Sequence, residues 1–213
     1  SSCRSAVARR RAGIAALAFT YRHFGDSGGQ PRQVLSIKRQ LADWDAAIAW
    51  VKPVKLADYK GRTVVLEWHN FGCPFVQKHY RSGNMQALQK KYGKDVAWLA
   101  VNSTTKSSTD WSEPSQIGAE LRKFSAQPAA YLVDEPGKMG MAYGAKVTPH
   151  MYVIDPQGKV VYNGAIDDKR STNVEDVKTS KNFVAAALEE LKAGKPVSVA
   201  STTPYGCTIK YKK

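Results

Sequence analysis

The sequence predicts an α/β domain with a central mixed sheet flanked by helices. Three observations lead to that fold class. Two apolar, β-branched runs, Thr63–Trp68 and Val96–Val101, enclose a helical segment; this is the pattern of a β-α-β unit with parallel strands and a right-handed crossover. Two further apolar runs, Met151–Asp155 and Val160–Gly164, surround Pro156-Gln157-Gly158 and read as an antiparallel hairpin. A closing helix over Lys181–Ala193 puts Phe183, Val184, Ala187, Leu188 and Leu191 on one face and stops at Gly194. A chain of 213 residues, 43% hydrophobic and 23% charged, can bury a full core.

The chain opens on a basic stretch. Residues 1–40 carry eight Lys and Arg against Asp26 alone, so +7 of the +14 net charge sits there. Residues 1–53 are therefore expected to be a basic extension with one helix, ahead of a domain over residues 54–213. Arg9-Arg10-Arg11 before Ala12–Phe19 faintly resembles the charged and apolar regions of an export signal, with no clean cleavage site after it; a disordered leader is the alternative. Val34, Ile37, Leu41, Trp44, Ala47, Ile48 and Val51 share one helical face. No base-reading motif points to nucleic acid, and no run approaches the ~20 apolar residues of a membrane span. The basic arm leaves a weak attraction to anionic membrane surface open.

Val54-Lys55-Leu56 reads as a short strand and Ala57–Gly61 as the turn into the central strand. His69–Gly72 breaks that strand. From Cys73-Pro74 a helix is expected to about Tyr92, with Ser82-Gly83-Asn84 as a kink or interruption. Asn102–Glu113, rich in Ser and Thr, follows the second strand at its carboxyl end, where open α/β sheets carry their reactive clefts. Trp111 in that loop either lines the cleft or packs on the surface. Pro114–Ala126 reads as a helix, Ala130–Val133 as a strand and Gly137–Gly144 as a short helix. Ile166–Lys181 is a second long polar loop, and the tail to Lys213 is extended, with a flexible-looking Pro204-Tyr205-Gly206-Cys207.

The chemistry centres on Cys73. Pro74 suits a first helical position, which leaves Cys73 at the N-cap, before free N–H groups and the positive end of the helix dipole. That placement can lower a thiol pKa from ~8.5 to roughly 3.5–7.5 and make the sulfur nucleophilic at neutral pH. A cysteine is otherwise a small buried hydrophobe. Chemistry that runs on sulfur calls for no cofactor.

The element order resembles the thioredoxin fold. The local features agree: a strand ending in Trp68, Cys73-Pro74 at the next helix start, and Thr148-Pro149 before the strand Met151–Ile154. The resemblance implies a cis-proline at 149 opposite the reactive cysteine, and a substrate groove shaped by Trp68, Pro74, Thr148, Pro149 and His150. Asp58–Trp68 is also similar to the redoxin branch, the alkyl hydroperoxide reductase and thiol-specific antioxidant proteins. Cys73-Pro74-Phe75-Val76-x-Lys78-His79-Tyr80, Tyr143-Gly144-Ala145 to Pro149-His150, and Asp167-Asp168-Lys169 to Asn182 look like a bacterial subgroup of that branch. The likeness covers roughly residues 54–211, and because many relatives are exported, a periplasmic or envelope location is slightly favoured over a cytoplasmic one.

The departures are specific. Val76 stands where thioredoxins have the second cysteine of C-x-x-C, so no dithiol forms within the turn. Asn70 and Leu66 stand where peroxiredoxins have a hydroxyl residue and a proline. The spacer from Trp68 to Cys73 is one residue longer than in thioredoxins. An attack by Cys73 on a disulfide or peroxide needs a second thiol to resolve it. Cys207 either supplies that thiol or is an unpartnered tail cysteine, and Cys3 is incidental. His69 and His150 either stabilise a thiolate or are structural; His79, six residues into the helix, lies away from the sulfur.

The expected function is thiol-disulfide exchange with Cys73 as nucleophile and Cys207 as resolving thiol. It would act on protein or small-molecule thiols and disulfides and be renewed by an external reductant. An atypical, antioxidant peroxidase acting on hydroperoxides is one alternative. A metal-binding module using His69, Cys73 and His150, or a non-catalytic module of the same fold, are the others.

Overall fold

The computed structural model of the protein describes residues 56–212. The basic extension, its helix over 34–51, the boundary at 53/54, Cys3, and Val54-Lys55 lie outside the described residues.

Thr63–Trp68 forms β1, Pro74–Arg81 α1, Asn84–Tyr92 α2 and Val96–Asn102 β2. Pro114–Lys123 is α3, Ala130–Val133 β3, Lys138–Tyr143 α4, Val147–Thr148 β4 and His150–Ile154 β5. Val160–Gly164 is β6, Phe183–Lys192 α5 and Cys207–Thr208 β7. The main sheet has the order β3-β2-β1-β5-β6, and β4 pairs with β7 in a second, two-stranded sheet. β1 and β2 run parallel from Thr63↔Val96 to Trp68↔Val101, and β5 lies antiparallel on the other side of β1, with Trp68 opposite His150. This mixed sheet, covered by helices, is a thioredoxin-like fold. Among the described residues no helix is long and apolar enough to cross a membrane.

The helix expected from Cys73 to Tyr92 is interrupted within Ser82-Gly83-Asn84, the place of the expected kink or interruption, and is two helices. Gly83, at φ 75°, breaks it, a conformation glycine adopts without a Cβ penalty. Leu56, expected to end a short strand from Val54, instead opens a 3-10 helix over Leu56–Tyr59, which takes up the first part of the turn expected at Ala57–Gly61. β1 already has a partner on each side, so it offers no free edge for another strand to pair with.

Side-chain alternation along β1 sends Val65 toward a core shared with Val76, Tyr80, Met85, Leu88, Val153, Val184 and Leu188. Val64, Leu66 and Trp68 enter the opposite core, with Ala97, Leu99, Val101, Tyr152 and Ile154. Val64, Val65, Leu66 and Trp68 are all nearly or wholly buried, as a strand covered on both faces requires.

Candidate active site

Cys73 is the N-cap of α1, with Pro74 in the first turn and the first helical bond running from Gln77 N–H to Cys73 O. The preceding turn is held by Asn70. Its Oδ1 accepts from Gly72 N–H at 2.7 Å, while its Nδ2 donates to Thr104 Oγ1 and to the Asp110 carbonyl, both at 3.1 Å. The amide that stands at the hydroxyl position of peroxiredoxins therefore ties the loop after β2 to the cysteine turn. Trp111 in that loop donates to Glu113 and lies beside Lys106.

The Cys73 side chain makes no cap hydrogen bond to its own helix. Its sulfur lies 2.9 Å from the Thr148 carbonyl oxygen and 2.7 Å from Cys207 Sγ. The Thr148-Pro149 peptide is cis. Cys207 reaches this place because β7 pairs antiparallel with β4, Thr148 opposite Cys207 and Val147 opposite Thr208. The two cysteines are not joined by a disulfide in the structure. Their sulfurs are closer than a van der Waals contact and about 0.7 Å beyond the ~2.05 Å of a disulfide.

Cys73 is only 3% exposed, and the strand bearing Cys207 lies against the same cis-proline turn. Burial and the neighbouring Cys73 sulfur push the Cys207 thiol up to about 12; the Phe75 backbone N–H, in the first turn of α1, opposes that rise. The Phe75 N–H at the helix start thus acts on Cys207, which the spacing of Cys73 and Pro74 alone does not reveal.

Of the expected groove residues, Thr148 meets the Cys73 sulfur through its carbonyl, Pro149 is buried directly after it, and Pro74 is exposed directly after Cys73. Trp68 is not there. It is fully buried on the sheet face opposite the Val65 core, packed on Tyr143 and Tyr152, with its Nε1 donating to Ser103 Oγ at 3.0 Å. Strand alternation gives the reason, because Trp68 follows Leu66 by two positions and Val64 by four. His150, opposite Trp68, is buried against Tyr152, and its Nδ1 accepts from Lys146 N–H. Burial, helped by the Lys146 charge, pushes its pKa down to about 4. His69 sits 2.8 Å from Glu67 through its Nδ1. Neither imidazole hydrogen-bonds the sulfur, and among the described residues no cluster of three His, Cys, Asp or Glu side chains is placed to hold a metal ion. The open cavity of about 1040 Å³ between Thr105–Thr109 and Ile209–Lys212 includes neither cysteine.

The tail differs most from expectation. It is tied down along its length rather than free. Thr202 Oγ1 accepts from Ala165 N–H, Ile209 N–H donates to Lys146 O, and Tyr211 OH donates to Ala145 O. Tyr205 is buried, its hydroxyl bonded to Asp167 and 3.3 Å from His79 Nε2. Gly206 follows at φ 146°, and a Cβ there would meet Thr148 O at 2.0 Å. Tyr205, Gly206 and Asp167 carry no sequence signal of these roles. Lys78 carries a partial one, as a charged residue inside the buried stretch Val76–Tyr80.

Comparison with known proteins adds the following. The sequence model of the AhpC/TSA family matches residues 37–163. A solved structure of an uncharacterized conserved protein from Geobacillus kaustophilus is similar at 30% identity, over 75% of this chain and 82% of that one, with a TM-score of 0.64. A hypothetical protein from Sinorhizobium meliloti 1021 is similar at 25% identity, over 77% of this chain and 88% of that one, with a TM-score of 0.60. A stretch of 46 residues is 59% identical to the quorum-quenching protein AidA of Acinetobacter baumannii (strain MDR-ZJ06). It spans 22% of this chain and only 15% of that protein's length.

Proposed function

The chain belongs to the AhpC/TSA family, and on that premise we propose that it is a thiol-disulfide oxidoreductase in which Cys73 attacks and Cys207 resolves. General redox chemistry on thiols and disulfides follows from the family. The finer assignment rests on one observation: the two sulfurs lie 2.7 Å apart at the cis-proline turn. The raised pKa of Cys207 supports the order of events, since a thiol that keeps its proton is a poor nucleophile and leaves the first attack to Cys73.

The steps balance as follows. Cys73 thiolate attacks one sulfur of a substrate disulfide and the other substrate sulfur leaves as a thiolate. Cys207 then loses its proton and attacks Cys73 Sγ, releasing the second substrate thiol and closing a Cys73–Cys207 disulfide. Once Cys73 is held in the mixed disulfide, its charge no longer opposes ionisation of Cys207. An external dithiol then reduces the Cys73–Cys207 disulfide, supplying two electrons and two protons and leaving as a disulfide itself.

The test is reduction of a model protein disulfide, with mass mapping of the enzyme at each stage. Cys73→Ser abolishes turnover, and Cys207→Ser traps the mixed disulfide on Cys73. If the native protein forms no Cys73–Cys207 bond across a range of glutathione ratios, the assignment is wrong.

A further inference from the structure

The meeting of the two sulfurs depends on a tail with little regular structure. Between the end of α5 at Lys192 and Lys212, β7 is a two-residue strand. A ladder that short is marginal by itself. Something else must hold Cys207 in place.

Residues two apart in an extended chain point the same way. Tyr205 and Cys207 both face α1: Tyr205 packs on Phe75 with ring centroids 5.8 Å apart and lies by His79 and Lys78, while Cys207 meets the N-cap Cys73. Gly206 between them is turned toward Thr148, where no Cβ fits.

The pocket around Tyr205 is a buried polar cluster. Asp167 and Lys78 form an ion pair at 3.4 Å with both side chains fully buried. Lys78 Nζ also donates to the Lys169 carbonyl at 2.8 Å, and Asp167 Oδ1 accepts from Lys169 N–H at 3.0 Å. His79 Nε2 is 3.9 Å from Asp167 Oδ2, and its Nδ1 lies 2.9 Å from Asn84 Nδ2. Desolvating two charges is costly unless further hydrogen bonds satisfy them. The Tyr205 hydroxyl is the bond to Asp167 that comes from the tail.

We propose that Tyr205 is the positioning residue of the dithiol: seated in the Asp167–Lys78–His79 cluster, it sets the register that brings Cys207 onto Cys73. The proposal rests on the dithiol reading above. Lifting Tyr205 out leaves Asp167 short of a donor and uncovers Cys73, so tail opening and Cys73 access become one event.

Tyr205→Phe keeps the ring and removes the hydroxyl. In the reduced protein, Cys73 is expected to react with iodoacetamide about tenfold faster, because a hydrogen bond to a charged acceptor is worth at least that factor in the opening equilibrium. The rate is followed against pH, so that opening and thiolate fraction are separated. Amide exchange in β1 and β2 is expected to stay unchanged, which a merely structural role would not allow. Asp167→Asn, acting from outside the tail, should give the same rise and keeps the test in place should the first variant not fold. An unchanged Cys73 rate, or a rise matched by faster exchange in β1 and β2, overturns the proposal while a Cys73–Cys207 bond in the native protein leaves the dithiol reading standing. Absence of that bond from the native protein overturns both.

Discussion

Two buried carboxylates flank helix α1, and they are satisfied in different ways. Glu67, on β1, accepts from Trp98 Nε1 at 2.8 Å and from Tyr80 OH at 3.1 Å, and lies 2.8 Å from His69 Nδ1. Its partners sit on β2, on α1 and on the residue directly after β1. Asp167 instead draws on Lys78 and His79 of α1, on the backbone of Lys169, and on Tyr205 of the tail. A carboxylate satisfied by the sheet and the helix over it fixes the fold. One that needs a residue from an irregular segment ties the seating of that segment to the state of the site. Helix α1 serves both, through Tyr80 in the first cluster and through Lys78 and His79 in the second.

The sharpest way to separate the two is to remove Glu67. Glu67→Ala strands the Trp98 and Tyr80 donors in a fully buried layer and leaves a cavity there. Two buried donors left without an acceptor, at roughly 1–3 kcal/mol each, cost about 4 kcal/mol together. The loss should appear in urea unfolding and be equal in the reduced and disulfide forms, because no tail residue joins this cluster. A loss confined to one redox form would put Glu67 in the active site rather than in the fold.

Gly206→Ala probes the other side. The added Cβ would lie 2.0 Å from the Thr148 carbonyl oxygen, a backbone atom that cannot rotate aside, at a φ that side-chain-bearing residues rarely adopt. We expect the tail to lift between Tyr205 and Ile209. The variant loses about 2 kcal/mol at most, the scale of one strained residue. Disulfide formation in a glutathione buffer falls much more than the melting temperature suggests. A variant that closes the Cys73–Cys207 bond as readily as the native protein would show that the close seat on the cis-proline turn is not needed.

The same contrast explains what the sequence reveals. β1, β2, the hairpin strands and α5 are legible because each carries a period that only one element satisfies, and Cys73-Pro74 marks its helix start without help. The Thr148-Pro149 turn is legible through the resemblance. Glu67 is half legible: a charge inside Val64-Val65-Leu66-Glu67-Trp68 implies partners but does not name them. The Tyr205 pocket is not legible. Lys78, Asp167 and Tyr205 are far apart in sequence, only Lys78 hints at burial by its place in Val76–Tyr80, and only tertiary packing joins them. The tail looked free for the same reason, since its ties are single side-chain bonds without periodicity.

The smallest expected effect is in the pH dependence. Burial is the main cause that pushes His79 and His150 from 6.5 down to about 4. For His79 the charge of Lys78 adds to this, while Asp167 and Glu67 oppose it. A histidine whose folded pKa is depressed takes its proton in the unfolded chain first. Its contribution is therefore complete above pH 6.5 and is lost as the pH falls from there toward about 4. The urea midpoint should be flat near neutral pH and decline through that window. The two histidines differ in what they touch: His79 faces Tyr205, and His150 lies beside Tyr152 on the far face of the sheet. His79→Gln should remove part of the slope and also remove any acid-induced rise in Cys73 alkylation. His150→Gln should remove part of the slope and leave that rise in place. If both substitutions act on Cys73 alike, acid loosens the whole domain rather than the tail, and the distinction between the two clusters fails.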